Sequence, residues 1–470
     1  MNLARLLVSA AHKSSGKTTV SIGLARALCA RGLRVQTFKK GPDYIDPGWL
    51  ARASGRPCIN LDMHLMHDAE IAAALPRHAG DADLALIEGN KGLYDGLALD
   101  GSNSNAALAR RLATPVLLVL DARGMTRGVA PLILGYQAFD RGIRIGGVIL
   151  NRLGGARHEA KLRAVIEHYT DVPVLGAVHH DERLAMPERH LGLTTAAETG
   201  DADACLGVIG ASIATQVDLD RVIALARAAE PLPLAALPPP PPPMASAGAR
   251  LRIGVARDEA FCFYYPDDLA ALEAAGAELV PIDTLRDARL PALDGLFIGG
   301  GFPETAMDRL AANASLRADM RTAIEAGLPT YAECGGLMFL SRSIRWGDRW
   351  APMVGAIPGH AVMHARPVGR GYVQLEETAA FPWGAPGDGA GALRQGHEFH
   401  HSSLEDLAGE VRFAYHVHRG HGIDGRHDGV CVHNLLASFA HLRATGGNAW
   451  PQRFMAWVRQ LRDGRLARAA

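Results

Sequence analysis

Cysteine is scarce. The 470 residues include six, with no C-x-x-C pair and no zinc spacing, which excludes a disulfide scaffold and points to a reduced, cytoplasmic chain. Net charge is missing as well: Lys+Arg and Asp+Glu both count 49, so no overall field favours nucleic acid or an acidic membrane surface, and neither is expected as a partner. The apolar start MNLARLLVSAA is too short to span a membrane and is broken by His12 and Lys13. The Gly-Lys-Thr that follows makes it a first β-strand rather than a leader. Repeats and coiled-coil heptads are also absent. What is present is an ordinary soluble composition, 48% apolar and 21% charged, in a chain too long for one core.

The clearest seam is PLPLAALPPPPPPMASAGAR, Pro231 to Arg250, where the run Pro238 to Pro243 cannot enter a helix or sheet interior and favours an extended spacer. Before it, RLLVSA, LRVQTF, LALIEG, PVLLVLDA and IGGVILNR read as buried parallel strands. Amphipathic stretches such as TTVSIGLARALCARG and GSNSNAALARRLA lie between them. After the seam the pattern restarts: LRIGVARD and DGLFIGGG as strands, PDDLAALEAAGAEL and RADMRTAIEAGL as helices, then a more antiparallel, loop-rich stretch. The expected fold class is α/β, two doubly wound domains over residues 1–230 and 250–470 with a Pro-rich linker over 231–249.

The stretch SAAHKSSGKTT resembles a phosphate-binding loop without its first glycine, since Ala11 stands where G-x-x-x-x-G-K-[ST] needs one. It keeps the physical parts. Small Ser14 and Ser15 let the backbone approach an anion, Gly16 opens a helix, Lys17 brings charge, and Thr18, followed by Thr19, offers a hydroxyl to Mg²⁺. Asp43 and Asp46 follow the second strand and Glu88 ends a later one. In a doubly wound sheet the strand ends share one edge, so these acids are expected to face Lys17 and to suit Mg²⁺. Asn151, just after a strand, reads equally as an amide for an adenine edge or as a turn former before Gly154 and Gly155.

In TYAECGGLMFL, Cys334 lies between a strand and an apolar helical run, with Gly335 and Gly336 behind it. That is a nucleophile elbow in form, and the helix N-terminus favours a thiolate. Gly299 to Gly301, after another strand, offer N–H groups for an oxyanion. The base is open among His397, His400, His401, His416, His418, His421, His427, His433 and His441. Metal binding is one reading of HEFHH, and no carboxylate or cysteine pattern fixes it.

Together GPDYIDP, IEGNKGLYDG, RDEAFCFYYPDDL, GGGFPE, YAECGGLMFL and GHEFHHS resemble the cobyrinic acid a,c-diamide synthase family over nearly the whole chain. The resemblance implies a dethiobiotin-synthetase-like domain of P-loop NTPase type and a flavodoxin-like class I glutamine amidotransferase domain. The activity it implies is amidation of the a- and c-side-chain carboxylates of cobyrinate or hydrogenobyrinate, with ATP, L-glutamine and Mg²⁺. The corrinoid is then the partner; the oligomeric state stays open, with a homodimer the candidate assembly. Residue by residue it implies Cys334 as nucleophile, His441 of SFAHLR as its base, and Gly300 and Gly335 as the oxyanion hole. ATP falls to Ser14, Ser15, Gly16, Lys17, Thr18, Thr19 and Asn151. Mg²⁺ falls to Thr18, Asp43 and Glu88, and substrate activation to Lys39, Asp43, Tyr44 and Asp46. Class I amidotransferases carry Glu two residues after the His. This chain has Arg443, so another group must orient His441. The loop AAHKSSGKT also departs from the corrinoid pattern G-T-x-S-G-x-G-K-T, which keeps sirohaem or a related tetrapyrrole as an alternative substrate. A partitioning-type switch ATPase with a non-catalytic amidotransferase-like module is the rival of another class. Against it, Lys13 lies one place too close to Lys17 for K-G-G-x-G-K-T.

Overall fold

The computed structural model describes residues 2–186, 188, 189, 192–232, 249–384 and 391–469. The six-proline run lies outside them. The chain divides into two compact units, Met1–Pro238 and Pro239–Ala470.

The strands of the first unit are β1 (Arg5–Ala10), β2 (Val35–Lys40), β3 (Ile59–Leu61), β4 (Leu84–Glu88), β5 (Val116–Asp121), β6 (Ile145–Leu153) and β7 (Val174–His179). They form one parallel sheet in the order β3-β2-β4-β1-β5-β6-β7. The helices are α1 (Lys17–Ala30), α2 (Ile45–Ser54), α3 (Asp68–Ala79), α4 (Asn105–Arg111), α5 (Val129–Phe139), α6 (Ala156–Tyr169), α7 (Ala202–Gln216) and α8 (Leu219–Arg227), with a small hairpin, β8 (Glu188–Arg189) and β9 (Gly192–Leu193), between the last strand and α7. Successive strand residues feed opposite faces. Leu7, Phe38, Ile87 and Leu118 join one apolar core, while Leu6, Val8, Leu86 and Leu117 join the other. Burial on both faces is why β1, β4 and β5 are near-continuous apolar runs rather than alternating ones. The parallel order brings the carboxyl ends of β1, β2 and β4 to one edge, where Glu88 ends β4 and the segments leading to Lys17 and Asp43 begin.

The second unit contains β10 (Leu251–Ala256), β11 (Phe261–Phe263), β12 (Ala277–Ile282), β13 (Gly295–Ile298), β14 (Gly300–Gly301) and β15 (Thr330–Glu333), with α9 (Pro266–Ala274), α10 (Met307–Ala312), α11 (Ala314–Glu325) and α12 (Gly335–Leu340) among them. There follow β16 (Ser343–Trp346), β17 (Arg349–Pro352), β18 (His360–Met363), β19 (Gly369–Glu377), β20 (Leu393–His400), β21 (Ser402–Glu405), β22 (Arg412–Arg419), β23 (His427–Val432), β24 (Leu435–Ser438) and α13 (Trp450–Ala469). Nine strands form a sheet in the order β12-β10-β13-β15-β24-β23-β22-β19-β20. The five from β12 to β24 are parallel, and the rest are antiparallel. The change follows from chain length: β23 reaches β24 through only His433 and Asn434, and so short a link permits no parallel crossover. The helix read over PDDLAALEAAGAEL ends early. Gly276 takes φ 96°, α9 stops at Ala274, and Ala277 begins the edge strand β12. Among the described residues no helix is long and apolar enough to cross a membrane.

Candidate active sites

In the first unit the loop from β1 to α1 turns through Ser14 at φ 65° and Gly16 at φ 85°. A Cβ on Gly16 would stand 2.0 Å from Asn151 Nδ2, so the position requires glycine for both space and conformation. Asn151 donates Nδ2 to Ser15 O at 2.9 Å. Arg152 Nη1 donates to Ser14 O at 2.8 Å and to Asp121 Oδ2 at 2.9 Å. Ser15 Oγ donates to His12 O at 2.8 Å and Tyr136 OH to Ala11 O at 2.5 Å. The loop is therefore held from several sides although it lacks the glycine at Ala11. Thr19 follows in the first turn of α1. A cleft of about 520 Å³, lined by His12, Asp121, Arg123, Gly124 and Met125, adjoins it.

Glu88 lies buried at the centre of a charged cluster. Its Oε1 accepts from Lys17 Nζ at 2.7 Å, Thr18 Oγ1 at 2.8 Å and Lys39 Nζ at 3.1 Å. Lys39 also pairs with Asp46, and stands 3.7 Å from Asp43 Oδ2. Thr18 Oγ1 donates to Asp46 Oδ2 at 3.3 Å as well. Of the three residues expected at Mg²⁺, Thr18 bonds Glu88, and its second carboxylate contact is Asp46. Asp43 accepts Ile45 N at 3.0 Å and Asp46 N at 3.2 Å through Oδ1, so it also shapes the entry to α2. Tyr44 takes the N-cap position of that helix. Burial alone would raise Glu88, but Lys17 and Lys39 outweigh it and hold the carboxyl at about 2. Burial and the nearby charge of Asp46 push Asp43 the other way, up to about 7. Lys40, buried one residue on, donates to Asn90 Oδ1 at 3.2 Å. Burial lowers it to about 8 against the pull of Asp62, helped by Lys91 and Lys39.

The donor set fits Mg²⁺ held jointly with phosphate. Glu88 Oε2 is buried without a hydrogen-bond partner among the described residues, an orphaned oxygen that a cation would satisfy. Among the described residues no three His, Cys, Asp or Glu groups are arranged to hold a metal unaided. Mg²⁺ characteristically takes one or two carboxylates and completes its shell with phosphate and water.

In the second unit β15 ends at Glu333, and Cys334 turns the chain into α12 at φ 48°, ψ −103°. A non-glycine residue at positive φ is strained and marks a site where the geometry matters. Cys334 N donates to Ser438 O at 2.7 Å, fixing the elbow to the end of β24. His441, three residues past β24, interacts with the Cys334 thiol, and that interaction is among those that raise its imidazole. Among the nine histidines, His441 is the one whose shift carries an interaction with Cys334. A Cβ on Gly300 would lie 2.6 Å from His441 Cε1, and one on Gly335 3.0 Å from Gly301 N. The expected oxyanion residues are therefore packed around the Cys334–His441 pair. Metal binding by HEFHH does not follow: no such cluster exists among the described residues, and His400 instead stacks on Phe439 with ring centroids 4.0 Å apart. His397 stacks on His441 at 4.9 Å, and burial, with the charges of His441 and Arg443, keeps it well below the usual imidazole range.

Sequence reasoning left two parts of this site unread. Arg443 is turned to Asp267, 2.8 Å from Nη2, and over the Tyr265 ring. Glu333, the residue before the nucleophile, stands 3.2 Å from His441 Nδ1 through Oε2. The glutamate in TYAECGG was the available signal, but strand alternation points it away from Cys334. In the first unit Asp121, Arg152 and Tyr136 carried no motif.

Residues 7–193 match the model of the CobQ/CobB/MinD/ParA nucleotide binding domain, and residues 252–449 that of the CobB/CobQ-like glutamine amidotransferase domain. A cobyrinate a,c-diamide synthase of Magnetococcus marinus is 47% identical over 450 residues, 95% of this chain and 96% of that protein. One of Methanosarcina barkeri is 40% identical, covering 99% of this chain and 98% of its own length. One of Listeria monocytogenes is 39% identical over 93% of this chain and 96% of its own. At such identity over nearly full length, the chain belongs to the cobyrinate a,c-diamide synthase family.

Proposed function

We propose that this protein amidates the a- and c-side-chain carboxylates of cobyrinate or hydrogenobyrinate, with glutamine as nitrogen donor and ATP as activating reagent. The observation that carries the reading is the Cys334–His441 pair at a strained elbow, in a chain that also gathers Lys17, Thr18, Lys39 and Glu88 beside a phosphate-type loop. A switch ATPase with an inert module has no use for such a pair. The six free cysteines suit a reducing, cytoplasmic setting.

His441 accepts the Cys334 proton, and the thiolate attacks the carboxamide carbon of glutamine. Gly300 and Gly335 N–H groups stabilise the oxyanion. His441 returns the proton to the departing nitrogen as ammonia, and water then cleaves the thioester to glutamate. At the other site Lys17 and the loop N–H groups hold the phosphates of ATP, with Ser14, Ser15, Gly16, Thr19 and Asn151 shaping that cradle. The substrate carboxylate, positioned by Lys39, Asp43, Tyr44 and Asp46, attacks the γ-phosphorus, ADP leaves, and an acyl phosphate results. Ammonia attacks the acyl carbon and expels phosphate. Thr18, Asp43 and Glu88, with Asp46 beside them, would hold Mg²⁺, which when bound offsets phosphate charge. An unactivated carboxylate resists ammonia, which is why ATP is needed.

The test is incubation with ATP, Mg²⁺ and glutamine against cobyrinate, hydrogenobyrinate and sirohaem, with each product identified by mass. Diamide from the first or second is expected. Amidation of sirohaem alone would replace the corrinoid, and no glutamate release with any of them would favour the switch ATPase. Cys334→Ala is expected to abolish glutamine-supported amidation while ammonia still supports it. Loss of both would contradict separate sites.

A further inference from the structure

We propose that Glu333, the residue immediately before the nucleophile, is the carboxylate that orients His441, taking the place that Arg443 leaves vacant. The proposal rests on Cys334 and His441 being the glutaminase pair. Two bonds fix Glu333 in addition to the one it makes to the histidine. Tyr331 OH donates to Oε1 at 2.6 Å and Leu442 N at 2.9 Å, while Oε2 faces His441 Nδ1 at 3.2 Å. Tyr331 is itself locked, with its ring centroid 5.5 Å from Phe297, 4.9 Å from Trp383 and 5.1 Å from Trp450. The acid and the imidazole are both buried, so their attraction is little screened.

Chain geometry explains how neighbours in sequence serve opposite sides of one ring. Along a strand, side chains i and i+1 point to opposite faces. The break to φ 48° at Cys334 turns the thiol out over the elbow, while Glu333 keeps its strand direction. His441 arrives from the end of β24, the strand paired with β15 through Glu333 and Ser438, and so meets both. A carboxylate on Nδ1 fixes the tautomer with Nε2 available to the thiol, and it stabilises the imidazolium formed when the thiol gives up its proton. Arg443 cannot compete, being buried against Asp267 and Tyr265. Burial lowers His441, but its bonds to Cys334 and Glu333 and their charges outweigh this and raise it to about 10.

The test uses the full-length protein. Glutamine hydrolysis and the rate of Cys334 alkylation by iodoacetamide are followed against pH for wild type, Glu333→Gln and Tyr331→Phe. Glu333→Gln is expected to lower glutaminase kcat on the order of 10²–10⁴-fold, the scale of losing a triad acid. It should also move the alkaline limb of the alkylation profile to lower pH, because the imidazolium loses its stabilising charge. Tyr331→Phe should move the limb the same way by less, and serves where Glu333→Gln folds poorly. A limb that stays in place in either folded variant, even with activity reduced, would make Glu333 structural and overturn the proposal. Should wild type hydrolyse no glutamine, the function proposed above fails, and the alkylation profiles still decide the role of Glu333.

Discussion

Lys17 and His441 are each defined by the acid they touch. Lys17 lies on Glu88, and a phosphate in the loop would offer it a stronger, partly desolvated partner. Lys17→Ala is expected to cut amidation about 10²–10³-fold with either glutamine or ammonia, the usual cost of removing one charge-stabilising group. Cys334 alkylation should stay at the wild-type rate. Steady-state rates with both nitrogen donors check this, and an effect confined to glutamine would detach Lys17 from ATP chemistry. His441 gives a pH signature. It is raised from 6.5 in an unstructured chain to about 10 in the folded one, so the folded state binds its proton more tightly. That stabilisation is fully present below about pH 6.5 and fades as pH rises through about 10. Urea unfolding across pH 6 to 10.5 should therefore show wild type losing its advantage over His441→Gln at the alkaline end. A gap that widens with pH would reverse the assignment.

The loop from β1 to α1 works as an element because its shape comes from contacts rather than from glycine content. Gly16 is the one position where the backbone leaves no choice. Gly16→Ala adds a left-handed cost of about 1–2 kcal/mol and drives a methyl into Asn151 Nδ2. ATP affinity is expected to fall at least about tenfold, the equivalent of roughly 1.4 kcal/mol, and the double variant with Asn151→Ala should recover only part, since the φ cost remains. Titration calorimetry with ATP measures both; full recovery would leave the contact alone responsible. This loop also shows what was legible in the sequence. Gly-Lys-Thr after an apolar run announced strand, turn and helix, and the parallel order predicted which strand ends would share its edge; the part of Lys39 beside Glu88 was not read from that order. Asn151, Arg152 and Tyr136 were not legible as braces, because they bond to carbonyl oxygens of the loop, which carry no side-chain identity to match. Glu333 was hidden for the opposite reason: its type was visible, but a local rule sent it to the wrong face, and only the strained φ of Cys334 corrects that. The antiparallel half of the second sheet was visible as a change of texture. Its strand order was not, since pairing between β19, β20 and β22 depends on register across long separations.

Each unit of the whole molecule has its own buried cores, one pair on the two faces of the seven-stranded sheet and another pair in the second unit. Apolar burial is the main stabilising term, so two sets of cores should give two cooperative transitions, each linked only to the ligand of its own site. A ligand that binds only the folded state stabilises by about 2.7 kcal/mol at a hundredfold excess over Kd. For a unit of Met1–Pro238 that is a rise of about 5–10 °C, taking roughly 2–4 °C per kcal/mol at 150–250 residues. Mg·ATP is expected to raise one transition by this amount, and a diazoketone glutamine analogue that alkylates Cys334 to raise the other. Differential scanning calorimetry of the full chain with each ligand, and with Lys17→Ala and Cys334→Ala as matched controls, separates them: each substitution should abolish one ligand's shift and leave the other intact. A single transition moved by both ligands would mean that the two units unfold as one, and the two ligand sites would then be coupled through stability.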